Sequence, residues 1–197
     1  MTDAEADEQE DDVAQNQLTE KLGDYVEDAH AMESNVLQML NSMIATTDDT
    51  TIRRELEQHK KQTERHQERL RERLEKMGRD TSLRKETQTL VGALMKGVAD
   101  QVRGDKPGKN ARDGFVTEHM EIAAYELLER LAERAGDNQT AKVARQNKRD
   151  EEAMAKKIAS KWDKFIDLTL DEAGIQAPKK RRTAQKTGSG SSSRSRR

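Results

Sequence analysis

Apolar side chains in this chain recur every three or four residues over long stretches, and almost nothing interrupts them; the only prolines are Pro107 and Pro178. That spacing lays one apolar stripe along a helix. A sandwich or barrel needs many turns and strands rich in β-branched and aromatic residues. With aromatics at 3%, the chain can supply neither. Hydrophobic residues make up 32% and charged residues 38%, too polar a balance for a thick globular core. It suits long helices that each bury a single stripe.

The stripes and the breaks between them predict an all-α fold. Helix 1 is expected from about Leu18 to Met43, with Leu22, Val26, Ala29, Val36 and Leu40 inward and Glu33 interrupting at the same angle. Asp48 or Asp49 can cap helix 2. That helix carries Ile52, Leu56, His59, Thr63, His66, Leu70 and Met77 and stops at Gly78. A shorter helical stretch follows Thr81, with Leu83, Leu90, Leu94 and Val98 apolar. Helix 3 is predicted from Asn110 to Arg134, with Val116, Met120, Ala123, Ala124, Leu127, Leu128 and Leu131 inward. Helix 4 is predicted from Gln139 to Glu172 along Val143, Asn147, Asp150, Met154, Ile158, Trp162, Phe165 and Leu168.

Short connections join helices 1–2 and 3–4, whereas a long segment separates helices 2 and 3. Two antiparallel hairpins joined by one crossover give the ferritin-like connectivity. The expected architecture is therefore a ferritin-like four-helix antiparallel bundle over 18–175, with a helical crossover between helices 2 and 3. Residues 1–17 form an acidic arm and 176–197 a basic tail, both expected to be disordered because neither has apolar residues to bury.

Absence of cysteine excludes disulfides, thiolate metal sites and a nucleophilic thiol. No apolar run approaches the roughly 18–20 residues that span a bilayer. The N-terminus is acidic rather than signal-like. The expectation is a cytoplasmic protein with no membrane contact. The tail residues Lys179, Lys180, Arg181, Arg182, Arg194, Arg196 and Arg197 are linked by a Gly/Ser run. They predict weak, salt-sensitive, non-specific DNA binding. The alternative is a solubilising end, or one that folds back on the acidic arm.

Candidate chemistry lies where the stripes are broken. Glu33, His59, His66, Glu121 and Asp150 stand between apolar residues one turn before and after. A buried ionised carboxylate costs several kcal/mol unless it is paired or metal-bound. Four helices that each contribute an inward acid or imidazole are how bundles assemble di-metal carboxylate sites. Oxygen and nitrogen donors without thiolate suit iron or manganese. Each candidate also has a structural alternative. Glu33 can pair with His30, the histidines can hydrogen-bond inside the bundle, and Asp150 and Glu121 can pair with basic neighbours on the surface.

Several stretches resemble the YciE/YciF-type ferritin-like stress proteins of bacteria. They are Asp28-Ala-His-Ala-Met-Glu33, His59 with Gln62-Thr-Glu-Arg-His66-Gln-Glu-Arg-Leu70, Glu118-His-Met-Glu-Ile-Ala-Ala-Tyr125 with Leu131-Ala-Glu, and Asp150-Glu-Glu-Ala153. The resemblance covers about residues 20 to 160. It implies a dimeric protein with a ferritin-like fold and a di-metal site, serving stress response or iron and oxidant handling. Carried onto this chain, the metal ligands would be Glu33, His66, Glu121 and Asp150, with His59, Glu118 and Glu151 as further candidates. One or two iron or manganese ions per chain would be bound. Departures are plain: Thr63 precedes His66 where a Glu-x-x-His pair has glutamate, Gln62 replaces an acid, and helix 4 has no histidine. They support the competing expectation of a non-enzymatic stress or interaction protein with a degenerate site.

Overall fold

A computed structural model describes residues 3–79 and 106–176. Helix α1 spans Asp3–Thr46, α2 Thr50–Lys76, α3 Lys106–Arg134, α4 Asn138–Ala159 and α5 Trp162–Glu172. The expected crossover helix after Thr81 and the basic tail from Lys179 lie outside the described residues. None of the described helices is long and apolar enough to cross a membrane.

Side-chain links between helix ends fix the directions. Arg79, just past α2, bonds Asp24 and Glu27 near the start of the packed part of α1. Arg73, late in α2, reaches Asp137 and Thr140 at the start of α4. At the opposite end Lys161 pairs with Glu55 of α2, and Gly108 N donates to Thr169 of α5. Helices α2 and α3 therefore run one way while α1 and α4 run the other. The end of α2 and the start of α3 lie at opposite ends of the bundle. This is the up-down-down-up order of a ferritin-like bundle.

The buried seams share one rhythm. On α1 it runs Leu22, Val26, Ala29, Glu33, Val36, Leu40, and on α2 Ile52, Leu56, His59, Thr63, His66, Leu70. These match the predicted stripes. Alternating steps of three and four residues keep a seam facing its partners in a bundle. On α3 the same rhythm picks out Ala111, Gly114, Glu118, Glu121, Tyr125 and Leu128. The predicted inward residues Val116 and Leu127 are instead 46% and 56% exposed. The inner seam of α3 carries acids, so hydropathy turned the predicted stripe to one side of it: Leu128 is buried and Met120, Ala124 and Leu131 pack partly against the core, while Val116, Ala123 and Leu127 face out. On α4 the seam is Thr140, Ala144, Asn147, Glu151, Met154 and Ile158, which leaves Asp150 at its edge.

One helix runs longer than expected and one expectation is corrected. Helix α1 begins at Asp3 and takes in residues of the expected acidic arm, with side chains 11–17 exposed. Ala, Glu and Gln are strong helix formers, and acids near a helix N-terminus are favoured by its dipole. Gln15 Nε2 also donates to Ala135 O across the end of the bundle. The predicted fourth helix is two. Ser160 Oγ turns back to Lys157 O and Lys161 N bonds Ile158 O, which ends α4. The bend lets Phe165 enter the core while Trp162, expected inside, is 39% exposed and lies edge-on to Phe115.

Gly23 shows close approach at work. A Cβ placed there would lie 2.2 Å from Arg79 Nε, inside the guanidinium that binds Asp24, Glu27 and Glu20. Gly23→Ala is expected to cost about 1 kcal/mol by expelling Arg79. In an Arg79→Ala background the same change should stabilise by about 0.5–1 kcal/mol, the ordinary preference of a helix interior for alanine. Urea melts of the four chains check this change of sign.

Candidate metal centre

At mid-bundle the four seams turn polar together. Glu33 comes from α1, His59 and His66 from α2, Glu118 and Glu121 from α3, and Glu151 from α4, and all six are buried. His59 Nε2 lies 3.1 Å from Glu118 Oε1 and 3.7 Å from Glu151 Oε2. His66 Nδ1 lies 2.7 Å from Glu151 Oε1 and 3.5 Å from Glu33 Oε1. Donor atoms of His59, Glu118, Glu121 and Glu151 all fall within 4.8 Å of one another, as do those of Glu33, His66 and Glu151. Glu151 belongs to both groups.

These approaches are close but are not hydrogen bonds. Glu33 Oε2, Glu118 Oε2, both oxygens of Glu121 and Glu151, both nitrogens of His59 and His66 Nδ1 have no hydrogen-bond partner. Leaving a buried polar atom unsatisfied costs about 1–3 kcal/mol, and more for a charged group. Carboxylate oxygens and imidazole nitrogens that converge from four helices without hydrogen bonds between them suit a cation. The residues fit: oxygen and imidazole donors with no thiolate can hold iron or manganese, and a carboxylate common to two groups can bridge two ions. Thr63 stands aside, its Oγ1 donating to His59 O.

A hydrogen-bond chain orients one edge of the cluster. Arg69 Nη1 donates to Asn147 Oδ1 at 2.8 Å, and Asn147 Nδ2 donates to Tyr125 Oη at 3.0 Å. The phenol O–H then donates to Glu33 Oε1. Asp150, half-buried, accepts from His66 Nε2 at 3.0 Å and so turns Nδ1 toward the cluster. Carboxylates in this outer position hold a ligating imidazole in one tautomer and orientation.

Crowded acids shift titration. Burial pushes Glu121 well above the usual carboxylate range, and Glu151, Glu33 and Glu118 push it the same way. Burial also raises Glu33, against the opposing pull of His66 and Tyr125. Glu118 is pushed up to about 7 by burial, with His59 acting against it. For the histidines burial acts downward, but neighbouring acids outweigh it. Glu118 and Glu151 carry His59 up to about 8, and Glu151 with Glu33 carries His66 up to about 10. In the metal-free chain protons therefore supply part of the positive charge these carboxylates need.

Of the residues singled out in the sequence, Glu33, His66 and Glu121 come together here, joined by His59, Glu118 and Glu151 from the further set. Asp150 sits behind His66 rather than among the converging donors, and its neighbour Glu151 takes the inner position. From sequence, Asn147 had only a position on the helix 4 stripe, and Tyr125 only its place in a stretch that carries the family resemblance. Their signal was a polar atom on a seam position of α3 or α4.

Four helices that each turn a carboxylate or imidazole into one interior define a ferritin-like bundle with a buried histidine–glutamate cluster. The chain belongs to the family described as "Domain of unknown function (DUF892)", whose model matches residues 17–170. Its fold resembles that of a Xanthomonas campestris protein at 23% identity and TM-score 0.67, over 81% of this chain and 99% of that one. The E. coli stress protein YciF aligns at 17% identity and TM-score 0.60, over 81% and 98%. YcfI of Rhodopseudomonas palustris aligns at 24% and 0.64, over 72% and 92%. The expected kinship with YciE/YciF-type proteins thus stands at the level of family and fold.

Proposed function

We propose that this chain is a ferritin-like carboxylate protein that binds two iron or manganese ions, with Glu151 bridging them. One ion would sit among His59, Glu118, Glu121 and Glu151, the other among Glu33, His66 and Glu151. The observation that carries the reading is the set of buried donor atoms left unsatisfied by hydrogen bonds. A pair of such ions would supply redox chemistry toward O2 or peroxide. That activity suits a role in oxidant or iron handling, and the naming of YciF as a stress protein supports that setting. The degenerate-site alternative rests on Thr63 and the lack of a histidine on α4. Against it, four buried glutamates face two histidines, a costly excess for a bundle with no cation to hold.

The test is elemental analysis of freshly purified protein and anaerobic titration with Fe(II) and Mn(II). Up to two ions per chain are expected, with a melting temperature that rises because only the folded state binds. A chain that purifies free of metal and ignores both ions would sink the proposal.

We also read the outer face of α3 as the docking surface for a second copy. Val116, Ala123 and Leu127 form an exposed apolar stripe there, bordered by Met120 and Leu131, which pack partly against the core, and Phe115 links it to Trp162 and Ile166 on α5. Heptad spacing on a face not turned to its own bundle suits a further helix–helix contact. Leu127→Glu should convert a dimer to a monomer in light scattering while leaving metal stoichiometry intact. A wild-type monomer would remove this reading.

A further inference from the structure

One end of the bundle holds a partly open cavity of about 280 Å³, beneath the α1–α2 turn and α5. Its wall is largely apolar: Met39, Met43, Leu56, Met154, Ile158 and Phe165. Gly114 on α3 faces the cavity, and a Cβ added to it would meet only Ile158 Cδ1 at an ordinary 3.6 Å. Neighbouring Ala111 is also small and buried. Apolar cavities of about 150 Å³ stay dry and take up benzene or xenon, so a larger one with methionine walls can adapt to a larger guest.

The cavity does not end in a dead wall of hydrocarbon. Glu118 lines it, is 1% exposed, and keeps Oε2 without a hydrogen-bond partner. The other oxygen of Glu118 faces His59 at 3.1 Å. The inner end of the cavity therefore touches the histidine–glutamate cluster. At the rim both charge signs are present, and Lys161 is tied to Glu55 and Lys164 to Asp49. Lys157 also lines this end beside Asp48 and Asp171, so the rim is mixed in charge and does not select an ionic head group of one sign.

We propose that this cavity is a binding site for a small, neutral, apolar organic molecule, held with its inner end against Glu118 and hence beside the cluster. Binding itself is independent of the metal reading; only the position of the guest relative to an ion rests on it. Indole, larger than benzene and uncharged, is a suitable probe, with toluene as a second.

Calorimetry on the full chain should show one indole per chain and a higher melting temperature. Gly114→Leu places a side chain in the cavity from the α3 backbone and should weaken indole by roughly tenfold or more while melting no earlier than wild type. Ala111→Leu gives the same readout should Gly114→Leu fold poorly. A second arm compares proton relaxation of bound indole in chains loaded with Mn(II) and with Zn(II). Strong relaxation by Mn(II) alone is expected, because the guest lies next to Glu118. No binding to the wild-type chain, or equal binding to the filled variants, would overturn the site. Binding without relaxation in a chain that does hold Mn(II) would overturn the placement. A chain that binds indole but no Mn(II) would instead remove the metal reading and leave the cavity site standing.

Discussion

Glu151→Gln is expected to abolish metal binding at both positions at once. Glu151 Oε1 lies 2.7 Å from His66 Nδ1 and Oε2 lies 3.7 Å from His59 Nε2, so one carboxylate serves both groups of donors. The amide keeps the volume but loses the charge and half the acceptor capacity. Removing a carboxylate found in one group alone should act differently. Glu33→Gln is expected to leave the ion among His59, Glu118 and Glu121, and Glu118→Gln the ion at His66. Asp150→Asn, one residue from Glu151, should weaken binding by about 10–100-fold without changing stoichiometry, because it acts on the orientation of His66. In the metal-free chain Glu121→Gln should change stability little near neutral pH, because burial and the neighbouring acids hold the Glu121 carboxyl protonated. Glu151→Gln should instead destabilise it by taking an acid away from buried, protonated His66 and His59. Manganese titration followed by electron paramagnetic resonance, with parallel melts, reads all of these. A Glu151→Gln chain that still holds two ions would show that no bridging group is needed.

The second large effect is a metal-free stability that falls with pH while metal affinity rises. Glu33, Glu118 and Glu121 titrate above their ordinary range in the folded chain, and His59 and His66 do so as well, at about 8 and about 10. The folded metal-free protein therefore holds more protons than the unfolded chain from the ordinary carboxylate range upward. Stability falls with pH wherever the folded state binds the excess. The carboxylate part is present at low pH and fades as pH rises through about 7 for Glu118. The histidine part is complete below 6.5 and fades through about 8 and about 10. Melting temperature of the metal-free chain should drop by about 5–10 °C between roughly pH 5.5 and pH 9. Metal competes with those same protons, so its affinity should rise over that range. The gap between loaded and metal-free melting temperatures should therefore widen with pH. A metal-free chain whose stability is flat or rising across this window would contradict the proton-held cluster.

Helical content, the order of the four bundle helices and the inner faces of α1 and α2 were all written in the sequence. Their seams are local and periodic, and Glu33, His59 and His66 sit among leucines and valines that leave no doubt about direction. Asp49 as the cap of α2, with Oδ1 accepting from Thr51 N and Ile52 N, was legible for the same reason. The faces of α3 and α4 were not. Hydropathy turns α3 toward Val116 and Leu127, because the seam that the fold buries is occupied by Glu118, Glu121 and Tyr125. On α4, steps through Asp150 and through Glu151 fit a helical stripe equally well. The choice is made by contacts between helices: Arg145 binds Glu129 and Glu133, and Lys148 binds Glu126 and Glu129, which holds that flank of α4 against the outer flank of α3. With α4 rotated so, Glu151 enters the cluster and Asp150 lies behind His66. A single chain segment can specify that it is a helix and which residues prefer water. Which acids give up that water depends on what the other three helices place opposite them, and only the assembled bundle decides it.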